Sequence, residues 1–87
     1  MKVYVVINKA LYPYSSYYDI IEICQSMESA KSVVETSIQD LVKSIDRGEN
    51  SHFEIGKYRV EYEDMCVILS DEMGYYDRYQ IEEHELV

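Results

Sequence analysis

Only one stretch of this chain spaces its apolar residues at the helical period, and that narrows the folds open to it. Met27, Ala30, Val34, Ile38, Leu41 and Ile45 recur three or four positions apart and form a single stripe. Its ends are marked. Ser26 can cap the first free amides, and Glu28 lies in the first turn, where the helix dipole favours an anion. Lys43 and Arg47 lie in the last turns, and Gly48 can take the left-handed conformation that stops a helix. A helix of about 20 residues is roughly 30 Å long and buries one face. The rest of the chain must supply something flat for that face to lie on.

The rest reads as strands. Residues 2–8 alternate Val3, Val5 and Ile7 with Tyr4, Val6 and Asn8, and residues 19–24 are rich in β-branched side chains. Tyr58, Val60 and Tyr62 face one way, with Arg59, Glu61 and Glu63 the other. Asp64-Met65 reads as a tight turn into Cys66-Val67-Ile68-Leu69, and residues 71–75, with Gly74, read as the next turn. A last strand runs through Tyr79-Gln80-Ile81 toward Leu86. The expected class is α+β: an antiparallel sheet of about five strands, in the sequence order β-β-α-β-β-β, with one long helix packed on one face. At 87 residues this is a single acidic domain, 1–87, with one modest core. A helix longer than a strand of six or seven residues is expected to cross the sheet diagonally or overhang it.

Composition then bears on function. Seventeen acidic side chains against eight basic ones give a formal charge of -9. Such a surface repels nucleic acid, whose phosphates dominate binding, and attracts basic partners. Ten tyrosines are present, four of them in Tyr12-Pro13-Tyr14-Ser15-Ser16-Tyr17-Tyr18. Tyrosine supplies a large rigid contact area and a hydroxyl, and Tyr/Ser mixtures are what binding loops use. This segment reads as a loop stiffened by Pro13. With the first strand drawn upward, it lies at the top, and the strand order sends the turn Glu72-Met73-Gly74-Tyr75-Tyr76 to the same end. The expected contact residues are Tyr12, Tyr14, Tyr17, Tyr18, Tyr75 and Tyr76, with the acidic Asp71 and Glu72. Glu61 and Glu63, two apart on a strand, stand roughly 6.6–6.8 Å apart on one face. That is the scale of neighbouring phosphates, so they are expected to imitate a nucleic acid backbone. Tyr4, Val6 and Ile20 or Ile21 are expected to leave apolar character on the face away from the helix, which a second copy of the chain is one candidate to cover.

Catalytic and metal chemistry find little support. His52 and His84 stand apart, the two cysteines, Cys24 and Cys66, lack CxxC spacing, and the three glycines are too dispersed for a phosphate-binding loop. Paired carboxylates abound, but general acid–base work needs a water-poor cleft that a small one-helix domain rarely encloses. No enzyme activity, metal or cofactor is expected. No apolar run nears the roughly 18 residues of a membrane span. The opening lacks the marks of an export signal, so the cysteines read as reduced thiols in a cytoplasm.

The opening Met1-Lys2-Val3-Tyr4-Val5-Val6, the run Ile20-Ile21-Glu22-Ile23, the helix entry Ser26-Met27-Glu28-Ser29-Ala30-Lys31 and the closing Tyr79-Gln80-Ile81-Glu82 resemble short proteins of bacteriophages and mobile elements. In size, acidity and α+β layout the chain is similar to anti-CRISPR proteins and other phage-encoded inhibitors of bacterial defence. That resemblance implies a protein partner, a nucleic-acid-handling enzyme with a basic surface, and no transferable site residues. Two other functions are compatible with the sequence: a homodimeric structural or regulatory protein whose acidity only keeps it soluble, and a small-nucleotide binder using the tyrosines with Lys9, Arg59 or Arg78 on phosphate.

Overall fold

The computed structural model describes residues 1–86. It contains strands β1 (Lys2–Tyr12) and β2 (Ser15–Cys24), helix α1 (Met27–Asp46), and strands β3 (Tyr58–Glu63), β4 (Cys66–Asp71) and β5 (Tyr76–Glu85). The five strands form one antiparallel sheet in the spatial order β2-β1-β5-β4-β3, with the helix on one face. This is the α+β class and the β-β-α-β-β-β order along the chain read from the sequence; the spatial order of the strands comes from the structure alone.

The helix begins and ends where its signals stand. Ser26 is extended, and its side chain accepts from the Ser29 amide at 3.1 Å. At the other end Gly48, with φ +73°, donates its amide to the Ile45 carbonyl at 2.9 Å. Ala30, Val34, Ile38 and Ile45 are buried, while Met27 and Leu41 flank them half-buried. They pack on Val6, Val67, Leu69, Tyr79 and Ile81, and Phe53 from the 47–57 connection closes the end of the core. The helix does not outrun the sheet. Three strands have ten or eleven residues, so each reaches roughly 33–37 Å at about 3.4 Å per residue and matches the helix.

The tyrosine segment is not a loop. β1 continues through Tyr12, a two-residue turn at Pro13 and Tyr14 reverses the chain, and β2 starts at Ser15. Tyr12 pairs with Ser15, Ala10 with Tyr17 and Lys9 with Tyr18. Neither Pro13 nor Tyr14 takes a positive φ, so the turn is of the type I kind, whose first central position proline suits, and tyrosine favours the flanking strands. Flanking pairing therefore converts a loop-like composition into a long hairpin.

The two faces also differ from expectation. Tyr4 and Val6 point toward the helix, and the open face carries Val3, Val5 and Ile7 instead, together with Ile20 as expected. Alternation fixes which residues share a face but not which face is covered. Ile21 is the extra residue of an irregularity in β2, since Ile20 pairs with Ile7 and Glu22 with Val6.

Candidate interaction surface

The register brings both tyrosine-bearing turns to one end. Tyr12 pairs with Ser15 at the tip of the first hairpin, and neighbouring Leu11 pairs with Tyr76 at the start of β5. Tyr58 pairs with Asp71 beside them, so the 47–57 connection lies at that end too. The β4–β5 turn is built on Asp71, whose carboxylate accepts from the amides of Met73 and Tyr75 at 2.9 and 3.0 Å. Gly74 supplies the positive φ of +90° that the turn needs.

Within this end the six tyrosines divide by role. Tyr12 faces the core. Its ring stacks on His52 at 3.9 Å between centroids, and its hydroxyl donates to Asp77 at 2.6 Å. Burial, with the hydrogen bond and charge of Asp77 added, holds that phenol well above its ordinary pKa of 10. Tyr14 at the tip is fully exposed, and Tyr17 is 47% exposed. The Tyr17 hydroxyl donates to Asp19 at 3.2 Å, and the charge of Asp19 raises its pKa. Tyr18 is 60% exposed but points to the opposite face from Tyr17, because neighbours in a strand alternate. Tyr75 and Tyr76 are half-buried. The expected single tyrosine surface is therefore two: Tyr14 and Tyr17 at the tip and helix side, and Tyr18 with Tyr76 on the open face.

Glu61 and Glu63 are exposed on β3 and share a face, as the alternation requires. However, Arg59 sits on the same face with its Nε 3.0 Å from Glu61. The pair halves the charge of the row, so the imitation of a phosphate backbone there is weaker than two free carboxylates. Elsewhere, among the described residues, ion pairs engage only Glu54, Glu82, Glu83 and Glu85. Around the tyrosine tip Asp19, Glu49 and Glu72 are exposed and free of ion pairs.

Three arrangements lay beyond sequence reasoning. Asp77 is only 3% exposed, and its carboxylate accepts from Asn8 Nδ2 and from the Tyr12 hydroxyl, both at 2.6 Å. Asn8 also donates to the carbonyl of Arg78 at 3.1 Å. These partners lie more than sixty residues apart, and only the β1–β5 register joins them. The second is a broad cleft of about 450 Å³ between the start of β3 and the β4–β5 turn, lined by Lys57, Arg59, Ser70, Asp71 and Glu72. Its charges are mixed and part of them already paired. The third is the separation of the thiols. Cys24 lies on the helix side of β2 and Cys66 on the open face of β4, three strands away, about 14 Å at ordinary strand spacing. That exceeds disulfide reach, and both are free and buried. Burial raises both thiol pKa values, and the Arg78 charge offsets part of the rise at Cys66.

No helix in the described residues is long and apolar enough to cross a membrane. Set beside known proteins, the chain matches no family model, no curated protein and no solved structure.

Proposed function

We propose that this chain is an acidic protein-binding module whose contact surface is the hairpin tip and the adjoining edge of β2. Its partner presents a basic, nucleic-acid-binding surface, and the chain blocks that surface in the manner of a phage-encoded anti-CRISPR or other anti-defence inhibitor. The role is occlusion rather than catalysis, in a bacterial cytoplasm. One observation carries the reading: Tyr14 and Tyr17 stand exposed at an end that also carries the exposed carboxylates Asp19, Glu49 and Glu72, none of them in an ion pair. Rigid aromatic anchors supply binding energy, and the surrounding negative charge steers a basic partner into place.

The test is capture from a bacterial lysate at low and high salt, with and without added duplex DNA. A nucleic-acid-handling protein should be retained at low salt and displaced by salt and by DNA alike. Retention indifferent to both would rule out a basic nucleic-acid-binding groove as the target. A small-nucleotide function is disfavoured at this end, where carboxylates outnumber free cations.

A further inference from the structure

The face of the sheet away from the helix holds the molecule's most anomalous charge arrangement. Lys9 and Arg78 lie directly opposite each other on β1 and β5. Like charges so placed repel. The chain has seventeen carboxylates, yet among the described residues neither cation has one within 4 Å. Arg78 Nε is buried without a hydrogen-bond partner, and the Lys9 ammonium lies 5.7 Å from the centre of the Tyr18 ring. Beside this pair the same face exposes apolar side chains, Ile20 at 52% and Ile23 at 61%.

We infer that a second copy of this chain covers the open face. Arg78 and Glu82 lie two positions either side of Gln80 on one face of β5, and Gln80 is opposite Ile7. A two-fold axis running across the strands through the Ile7–Gln80 row reverses the rows above and below it. Each Arg78 then meets the second copy's Glu82, whose carboxylate exchanges its Gln80 and His84 contacts, at 2.9 and 3.3 Å, for the guanidinium, and each Tyr18 meets the second copy's Ile23. The same Glu82 lies one strand spacing, about 4.8 Å, from the position opposite Lys9. One symmetric contact thus supplies the missing countercharge and dries the isoleucines. A small anion would do only the first of these.

Size agrees. The accessible surface is 5834 Å², against about 5,400 Å² expected for a compact monomer of 10.3 kDa. Because β3 and β4 run only from the axis row toward the hairpin tip, the two copies overlap on β2, β1 and β5. That footprint, roughly 15 Å by 25 Å, is below the about 800 Å² per partner of a standard interface and suits a weak dimer. The arrangement places Glu63 near its own copy at one corner, where sheet twist splays the layers apart and exposed like charges repel weakly. It also sends the two hairpin tips to opposite ends, leaving both free.

Sedimentation velocity from about 1 µM to 1 mM tests the inference on the full chain. Wild type should shift toward twice 10.3 kDa with concentration. The shift should strengthen from about 20 to 150 mM salt, because screening relieves repulsion between two chains of charge -9 more than it weakens the covered ion pairs. Ile23→Lys and Arg78→Glu should each give monomer with unchanged circular dichroism, and Arg78→Glu combined with Glu82→Arg should restore the dimer. A monomer at every concentration would overturn the inference. So would a dimer indifferent to Ile23→Lys and to the charge swap, or a monomer whose Lys9 and Arg78 resonances move on addition of inorganic phosphate.

Discussion

The two edges of the sheet are built on opposite plans. β3 has six residues and presents Arg59, Glu61 and Glu63 on one face. Short length and charge are the usual means by which an edge avoids pairing with other chains. β2 has ten residues, is exposed along its length except at Cys24, and carries only Asp19 and Glu22 as charges. Its exposed positions include Tyr17 on the helix side, open to a partner, and Tyr18, Ile20 and Ile23 on the face assigned to the second copy. One edge is defended and the other is dressed with contact residues. That asymmetry locates the interaction side of the molecule better than net charge does, because carboxylates are spread over both sides.

The comparison requires the strands between the edges to be core, and the largest effects test this. Asp77→Ala would leave Asn8 and Tyr12 without their shared acceptor inside the fold. Losing two such bonds should lower unfolding free energy by about 3–5 kcal/mol in denaturant melts. Ile38→Ala, at a helix position 1% exposed, should cost about 2–5 kcal/mol. A loss below about 0.5 kcal/mol at either site would mean that interior and edge had been assigned wrongly.

Next in size are the tip tyrosines. Tyr14→Ala and Tyr17→Ala should each remove more than about 1 kcal/mol of binding, with the melting temperature nearly unmoved, since exposed anchors serve the partner rather than the fold. An equal loss of stability would make them part of the core. Tyr12 should behave in the contrary way. Its folded pKa is raised above the unfolded value of 10 through burial first, then the hydrogen bond to Asp77 and its charge; that of Tyr79 is raised through burial and the charge of Asp77. The stability tied to these shifts is fully present below pH about 10 and is lost as pH rises above it, when only the unfolded phenols ionise. Tyr12→Phe should therefore flatten the alkaline fall in stability between pH 10 and 12, measured by urea titration. The smallest effect belongs to the defended edge. Glu61→Gln with Glu63→Gln should change stability by less than about 0.5 kcal/mol and slow partner association only modestly.

Sequence made the helix legible, because its cap, stripe and glycine stop are local signals within one segment. The alternation of β3 and the Asp71–Tyr75 turn were legible for the same reason. The tyrosine segment was misread because its composition is that of a binding loop, while its conformation is set by pairing with residues on both strands of a hairpin. The covered face of β1 was misread because Val3, Val5 and Ile7 are as apolar as Tyr4 and Val6. The Asn8–Asp77–Tyr12 network and the Lys9–Arg78 pair depend wholly on β1–β5 register, and no local pattern announces them. What the sequence did convey about the candidate surface is its end: strand order alone sent both tyrosine turns there.

The central claim is that the partner is held by the β2 side and the hairpin tip rather than by the acidic edge of β3. Its most direct test is one capture experiment at fixed low salt with three baits: wild type, Tyr14→Ala/Tyr17→Ala, and Glu61→Gln/Glu63→Gln. The tyrosine bait should lose the partner that wild type retains, and the glutamine bait should keep most of it. Loss of the partner from the glutamine bait, with the tyrosine bait unaffected, would contradict the account and make β3 the binding edge.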